Sequence, residues 1–391
     1  MTRQRLAITT IFFANGALVA TWASRIPAIA DHVGTTTGQL GLALLFPAIG
    51  AVATMPLVGR ALTHGSSRTY TAFGVAGLAL AVILPAIAPS LPTLALALLL
   101  VGATNGCLDI AMNAQGVAIE RRMRRPILSS LHAAFSFGGF AGAGLGALAA
   151  ALDVAPLPHI AFAAALFGGA GVLSIAPLLR IDRDPDMHAE RLPWRKLPVR
   201  LLLMGVACFF CFLGEGAAMD WSAKLVKDEL SGSAALGAVA YAVFSAGMAI
   251  GRLLADGLWA RWGAVGLLRR EAALATVGFA AGLAIGTPAA AIVGFGALGL
   301  GLSGVAPTLF RSAADEPGVP TGPALAATSS LGYLGFLAGP AIIGGLAEAT
   351  SLYTAAFAIV AAATLVLVLA GTAAPPRTPT RPSSHHPTVS G

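Results

Sequence analysis

Long apolar runs separated by short polar breaks make up most of the chain, with no strand-like alternation of apolar and polar positions. The runs lie at about 6–29, 38–62, 70–88, 93–118, 128–151 and 158–179, then at about 198–222, 233–255, 265–286, 289–310, 324–347 and 353–371. Each is near the roughly 20 apolar residues that carry a helix across a bilayer. A backbone in hydrocarbon must hydrogen-bond to itself, so each run predicts a transmembrane helix. The pattern predicts an all-α integral membrane protein of twelve spans in two sets of six.

The first run follows Arg3 and Arg5 as in a signal peptide. It exceeds the roughly 7–15 apolar residues of a signal core, so it reads as an uncleaved first span. The stretch 180–197 holds Asp182, Arg183, Asp184, Asp186, Glu190, Arg191, Arg195 and Lys196 and reads as a cytoplasmic linker. It separates a six-helix bundle at 1–179 from a second at 198–372. The segment 373–391, rich in Pro, Ser, Thr and His, reads as a disordered tail.

Composition agrees: of 391 residues 57% are hydrophobic and 10% charged, outside the range of soluble domains. Net charge is +7, and its distribution matters more than its size. With the N-terminus inside, only Arg25, Lys224 and Lys227 of the 24 Lys and Arg residues fall at the outer side. Cytoplasmic loops collect basic residues, so both termini are expected in the cytoplasm of a bacterial plasma membrane. The charge then reflects topology and anionic lipid, and nucleic acid is not an expected partner. Cys107, Cys208 and Cys211 lie inside apolar runs, which suggests neither a disulfide framework nor a metal site. The CxxC of Cys208 and Cys211 reads as packing rather than redox chemistry. No cofactor is expected.

The two sets echo each other. Asn15-Gly16-Ala17 with Trp22 and Arg25 matches Glu215-Gly216-Ala217 with Trp221 and Lys224, at offsets of 199 to 200 residues. VGRALTHG from Val58 matches IGRLLADG from Ile250, and Ser129-Ser130-Leu131 matches Ser329-Ser330-Leu331. These matches fall on spans that a six-plus-six duplication pairs.

Gly251-Arg252-Leu253-Leu254-Ala255-Asp256, with Arg261 and Gly263 after it, resembles the loop signature of major facilitator transporters, with Gly59 and Arg60 at the matching first-half positions. Thr63 and His64 stand there where an acidic and a basic residue are expected. The resemblance implies the major facilitator fold, alternating access and a cytoplasmic gate formed by this motif. GCLDIAMNAQGVAIERR, SSLHAAFSFGG and EGAAMDWS resemble the fucose-permease-like subgroup. Those permeases are sugar–proton symporters with acidic residues on spans one and four; this chain offers Asn15 and Asp109.

Ionisable residues inside a membrane mark pathways or proton relays. Asn105, Asp109 and Asn113 recur every four residues on one face of span four, toward a cavity, with Glu120 near the inner end. Asp109 is the leading proton-coupling candidate, Glu215 and His132 the others; a purely structural hydrogen bond is the alternative for Asp109 and a satisfied core histidine for His132. Asn15, Asp220, Trp221 and Arg25 complete the cavity and substrate candidates. An interfacial anchor explains Asp220 and Trp221 equally well, and snorkelling explains Arg25 and Lys224. Gly138, Gly142 and Gly146 on span five, and Gly335, Gly339 and Gly344 on span eleven, predict close helix approaches, and Pro47 and Pro307 predict kinks.

Three functions remain in play. A proton-coupled carrier of a small polar solute, acting as a monomer, comes first, and proton-driven efflux of an amphiphilic compound is its variant. A non-transporting sensor would carry a soluble domain that is not evident. An intramembrane enzyme built on Gly301-Leu302-Ser303-Gly304 lacks a histidine on a later span, so no catalytic residue is assigned.

Overall fold

The computed structural model describes residues 2–62, 65–124, 127–180, 197–319 and 321–373. Residues 181–196 of the predicted linker, the tail beyond Ala373, and Thr63 and His64 lie outside them. The first half comprises α1 (Arg3–Ala23), α2 (Ile26–Val33), α3 (Thr37–Ala43), α4 (Leu45–Leu62), α5 (Ser67–Ala81), α6 (Leu91–Met123), α7 (Leu128–Ala151), α8 (Pro156–Ala163) and α9 (Gly169–Leu173). The second comprises α10 (Val199–Lys224), α11 (Ala234–Ile285), α12 (Pro288–Leu302), α13 (Val305–Ala314), α14 (Thr321–Ala349) and α15 (Leu352–Leu369).

Helix starts are written in the sequence. Thr2, Thr36, Ser233, Thr287 and Ser351 each cap an N-terminus by accepting a backbone N–H, and Thr36 forms a full capping box with Gln39. Both predicted kinks are breaks. The second span divides between α3 and α4 at Leu44, and the tenth between α12 and α13 at Ser303–Gly304. In each case the proline, Pro47 or Pro307, is the third residue of the second piece, where its missing N–H and its clash with the carbonyl four residues back prevent a continuous helix.

Among the described residues, eleven helical stretches are long and apolar enough to cross a membrane by length and composition. The twelfth is hidden inside α11, whose 52 residues would reach about 78 Å if straight, over twice a hydrocarbon core of about 30 Å. It is not straight: Gly263 sits at φ 68°, ψ 174°, a conformation open to glycine, and splits α11 into the eighth and ninth spans. The ninth escapes a hydropathy count because Arg269, Arg270 and Glu271 fall together near its start. With it the architecture is the predicted twelve spans in two six-helix halves.

The glycine stripes act within the halves. Gly138 and Gly142 press α7 onto backbone carbonyls of Phe13 and Ala17 in α1, and Gly335 presses α14 onto Phe209 in α10, so spans five and eleven pack equivalently on spans one and seven. Between halves, α7 packs along the first limb of α11, and α3 packs on α14. Large apolar side chains elsewhere point outward, such as Leu173 (81% exposed) and Val293 (71%), as a lipid-facing surface requires.

A polar seam between the halves

The candidate site lies where α6 and α7 of the first half meet α10, α11 and α14 of the second. On α6, Asn113 donates through Nδ2 to the Asp109 carbonyl (2.8 Å) and carboxylate (3.1 Å), so two members of the predicted stripe act as a unit. Across the seam, Tyr333 on α14 is close enough to Asp109 to interact with it electrostatically. Tyr333 in turn adjoins Phe212 and Phe336, so an aromatic cluster borders the acid. The third member of the stripe, Asn105, is partly buried and its Oδ1 has no protein partner.

The second cluster is organised by Arg252. Its Nη1 donates to Ser136 Oγ on α7 (2.6 Å) and its Nη2 to Glu215 Oε1 on α10 (3.3 Å), linking three helices and both halves. Ser136 donates to the His132 carbonyl at 3.2 Å, leaving its lone pairs toward the guanidinium. His132 itself is exposed to open space, edge-on to Phe12 at 5.4 Å, and close enough to feel the Arg252 charge. Arg252, expected in a cytoplasmic gate motif, lies within the continuous helix α11 with its side chain 16% exposed and bonded across the seam. Of the other gate residues, Gly251 backs onto Ser303, Gly59 has open space around it, and Arg261 is exposed. The side chains of Arg60 and Asp256 lie outside the described residues.

The remaining candidates sit elsewhere. Asn15 is buried (2% exposed), its Nδ2 facing Met112 Sδ at 3.7 Å and its Oδ1 unpartnered. Asp220 and Trp221 are both buried, so neither is an interfacial anchor. Trp221 packs on Gly41 and Gly344, where α3 and α14 meet on the face away from the chain start. On that far face the halves are tied by an ion pair between Lys227 and Asp31 and by a Gly38 N–H donated to Glu348 at 2.7 Å. Arg25 does not snorkel; it is buried, and its Nη2 donates to the Val154 carbonyl at 2.6 Å. Its repeat partner Lys224 pairs with Asp228. Glu120 is a helix cap, accepting the N–H groups of Ile127 (2.6 Å) and Leu128 (3.1 Å) at the start of α7.

Sequence reasoning missed three groups. Tyr333 lies in a run of small and apolar residues, and its rarity, one of four tyrosines, was the available signal. Ser136 looked like any helix-borne serine. Glu271, adjoining Ser303 and Gly304, is buried in the ninth span and was not singled out beside Arg269 and Arg270. Among the described residues no group of His, Cys, Asp and Glu could hold a metal ion.

Twelve spans in two equivalent halves, meeting along a polar seam inside an apolar shell, define a polytopic membrane transport protein. The chain belongs to the Major Facilitator Superfamily, whose family model matches residues 6–322. It is 34% identical to an uncharacterized transporter of Sinorhizobium fredii over 92% of this chain and 95% of that protein. An uncharacterized MFS-type transporter of Yersinia pestis is 33% identical, with 95% of each chain covered. In fold it resembles the crystal structure of a D-xylose-proton symporter, with a TM-score of 0.74, 14% identity, and coverage of 95% and 96% of the two chains. These relatives are transporters rather than enzymes.

Proposed function

We propose that the protein is a secondary transporter that moves a small polar solute by alternating access and couples it to protons through Asp109. The observation that carries this reading is the contrast between the two seam carboxylates. Glu215 already has Arg252 as its counter-ion, whereas Asp109 has the Asn113 amide for a hydrogen-bond partner, Tyr333 nearby, and no cation within ion-pair distance among the described residues. A charge in the bilayer interior must be compensated, and a proton is the compensation available to Asp109. Its contact with Tyr333 spans the two halves, so occupancy of the carboxylate and the arrangement of the halves are coupled.

The bundles at 1–179 and 198–372 are the rocking units in this reading, with both termini cytoplasmic as the basic loops favour, and a monomer suffices. The likeness to fucose-type permeases supports a sugar-like solute, which the amides of Asn105 and Asn113 could bond. The aromatic cluster of Phe212, Tyr333 and Phe336 beside Asp109 supports the second reading, efflux of an amphiphilic compound.

The test has two stages. A panel of sugars, nucleosides and hydrophobic cations screened for thermal stabilisation identifies a ligand, because a molecule that binds only the folded state raises the midpoint. Proteoliposomes then compare wild type with Asp109→Asn. Proton-driven accumulation should vanish while solute exchange at equal concentrations persists. A variant that still accumulates solute against its gradient, with the normal proton flux, removes Asp109 from the coupling mechanism.

A further inference from the structure

Arg25 is a buried cation with no acid paired to it among the described residues. It sits in the break between α1 and α2, 6% exposed, and its repeat counterpart Lys224 is neutralised by Asp228 one helical turn later. The first half has no such acid: the position four residues after Arg25 is Ile29. Nη2 of Arg25 is held by the Val154 carbonyl, while Nε and Nη1 have no partner. His159, buried beside it, also leaves both ring nitrogens unpartnered. A buried cation without a counter-ion is strongly unfavourable, so a partner missing from the protein itself is called for.

A cavity of about 190 Å³ adjoins this charge, lined by Arg25 with Ser24, Ala28, Asp153, Ala155 and Ala234 among others. The eight-residue helix α2 begins at its wall, with Pro27 and Ala28 lining the cavity, and presents the positive end of its dipole there. Asp153, the acid on the wall, is exposed and makes no ion pair with Arg25. Ala234 starts α11, so the cavity is shared between the halves.

We propose that this cavity is an oxyanion site on the far face, where Arg25 and the N-terminus of α2 receive a carboxylate or phosphate group. It is remote from the Asp109 seam and does not depend on the transport reading. The anion comes from solution or from a lipid headgroup, and the shared chemistry is a compact oxyanion able to accept from a guanidinium.

The test uses the full chain in phosphatidylcholine nanodiscs, with sodium chloride exchanged for sodium acetate or sodium phosphate at constant ionic strength. Thermal midpoints are followed by tryptophan fluorescence. Wild type should be stabilised saturably, and Arg25→Gln should need about tenfold more anion or more for the same shift. Asp153→Asn, which removes a repelling charge, should need less anion than wild type. Lys224→Gln, at the matched but compensated position, should respond as wild type does. Arg25→Lys keeps the charge without the planar donor fork, and gives an intermediate response even where Arg25→Gln fails to fold. Nanodiscs containing phosphatidylglycerol separate the sources: a headgroup site is already filled there and acetate adds nothing, whereas a solute site responds to acetate in both lipids. Equal responses of wild type, Arg25→Lys and Asp153→Asn, or a wild type indifferent to acetate, phosphate and phosphatidylglycerol alike, overturn the assignment.

Discussion

The contact of Gly41 with Gly344 lets conformational equilibrium be separated from folding. These glycines lie on α3 and α14, in opposite halves, and bring two backbones together on the far face. A Cβ placed on Gly344 would stand 2.7 Å from Gly41 Cα and 3.3 Å from both the Thr37 carbonyl oxygen and the Trp221 ring. Most of these neighbours are backbone, so Gly344→Ala can be accommodated only by moving the helices apart. Overpacking a close contact of this kind costs about 1–3 kcal/mol. If the halves rock by alternating access as proposed, α3 and α14 touch only when the far face is closed, and that cost falls on the closed arrangement and not on one in which the halves have separated there. At about 1.4 kcal/mol per factor of ten, the ratio of closed to open molecules should fall by about 5- to 150-fold. The assay is electron–electron distance measurement between spin labels at His32 and Thr350, exposed far-face positions on either half, after replacement of Cys107, Cys208 and Cys211. The reference should give one short distance, and Gly344→Ala a second, longer population at little change in thermal midpoint. An unchanged distance distribution accompanied by a lowered midpoint would refute the reasoning, because the contact would then be holding the fold and not one state of it.

Three further outcomes follow from the same geometry. Asp31→Asn removes the far-face ion pair with Lys227, whose side chains are 58% and 27% exposed, so stability and the closed population should change by under about 1 kcal/mol, and 0.5 M salt should mimic it. Glu215→Gln leaves the Arg252 guanidinium held only by Ser136 at 16% exposure and should destabilise by about 2–4 kcal/mol in thermal or denaturant unfolding; adding Arg252→Gln should recover part of that loss, and strict additivity would count against the pair. Gln115, fully buried, donates to Ser67 Oγ (2.8 Å) and to the Leu179 carbonyl (2.7 Å) and accepts the Leu179 N–H (3.2 Å). Gln115→Leu strands those groups and should lower stability by about 2 kcal/mol, read as a drop in thermal midpoint that Gln115→Glu does not reproduce in size.

The spans were legible because hydropathy is a local property: each apolar run states its own solvent. The breaks were legible for the same reason, since Pro47 and Pro307 act on the turn directly before them. The ninth span, expected at about 265–286, carries Arg269, Arg270 and Glu271 near its start, and the positive φ of Gly263 defines its beginning. The seam was legible only from one side at a time. Asp109, Asn113 and Glu215 stood out as polar atoms in an apolar run, but nothing in α6 names Tyr333, and nothing in α11 says that Arg252 reaches Ser136. Those pairings depend on how two halves dock, and a duplicated sequence shows which positions are equivalent without showing what each one faces. The repeat was most informative where it failed. At Asn15 and Glu215 the duplicated position is an amide buried against Met112 in one half and a carboxylate bound to Arg252 in the other. At Arg25 and Lys224 it is an uncompensated cation in one half and a paired one in the other. Packing alone would let both copies keep the same residue, so each asymmetry marks a place where an interaction beyond packing has set the chemistry, a charge link between halves in the first case and an incoming anion in the second.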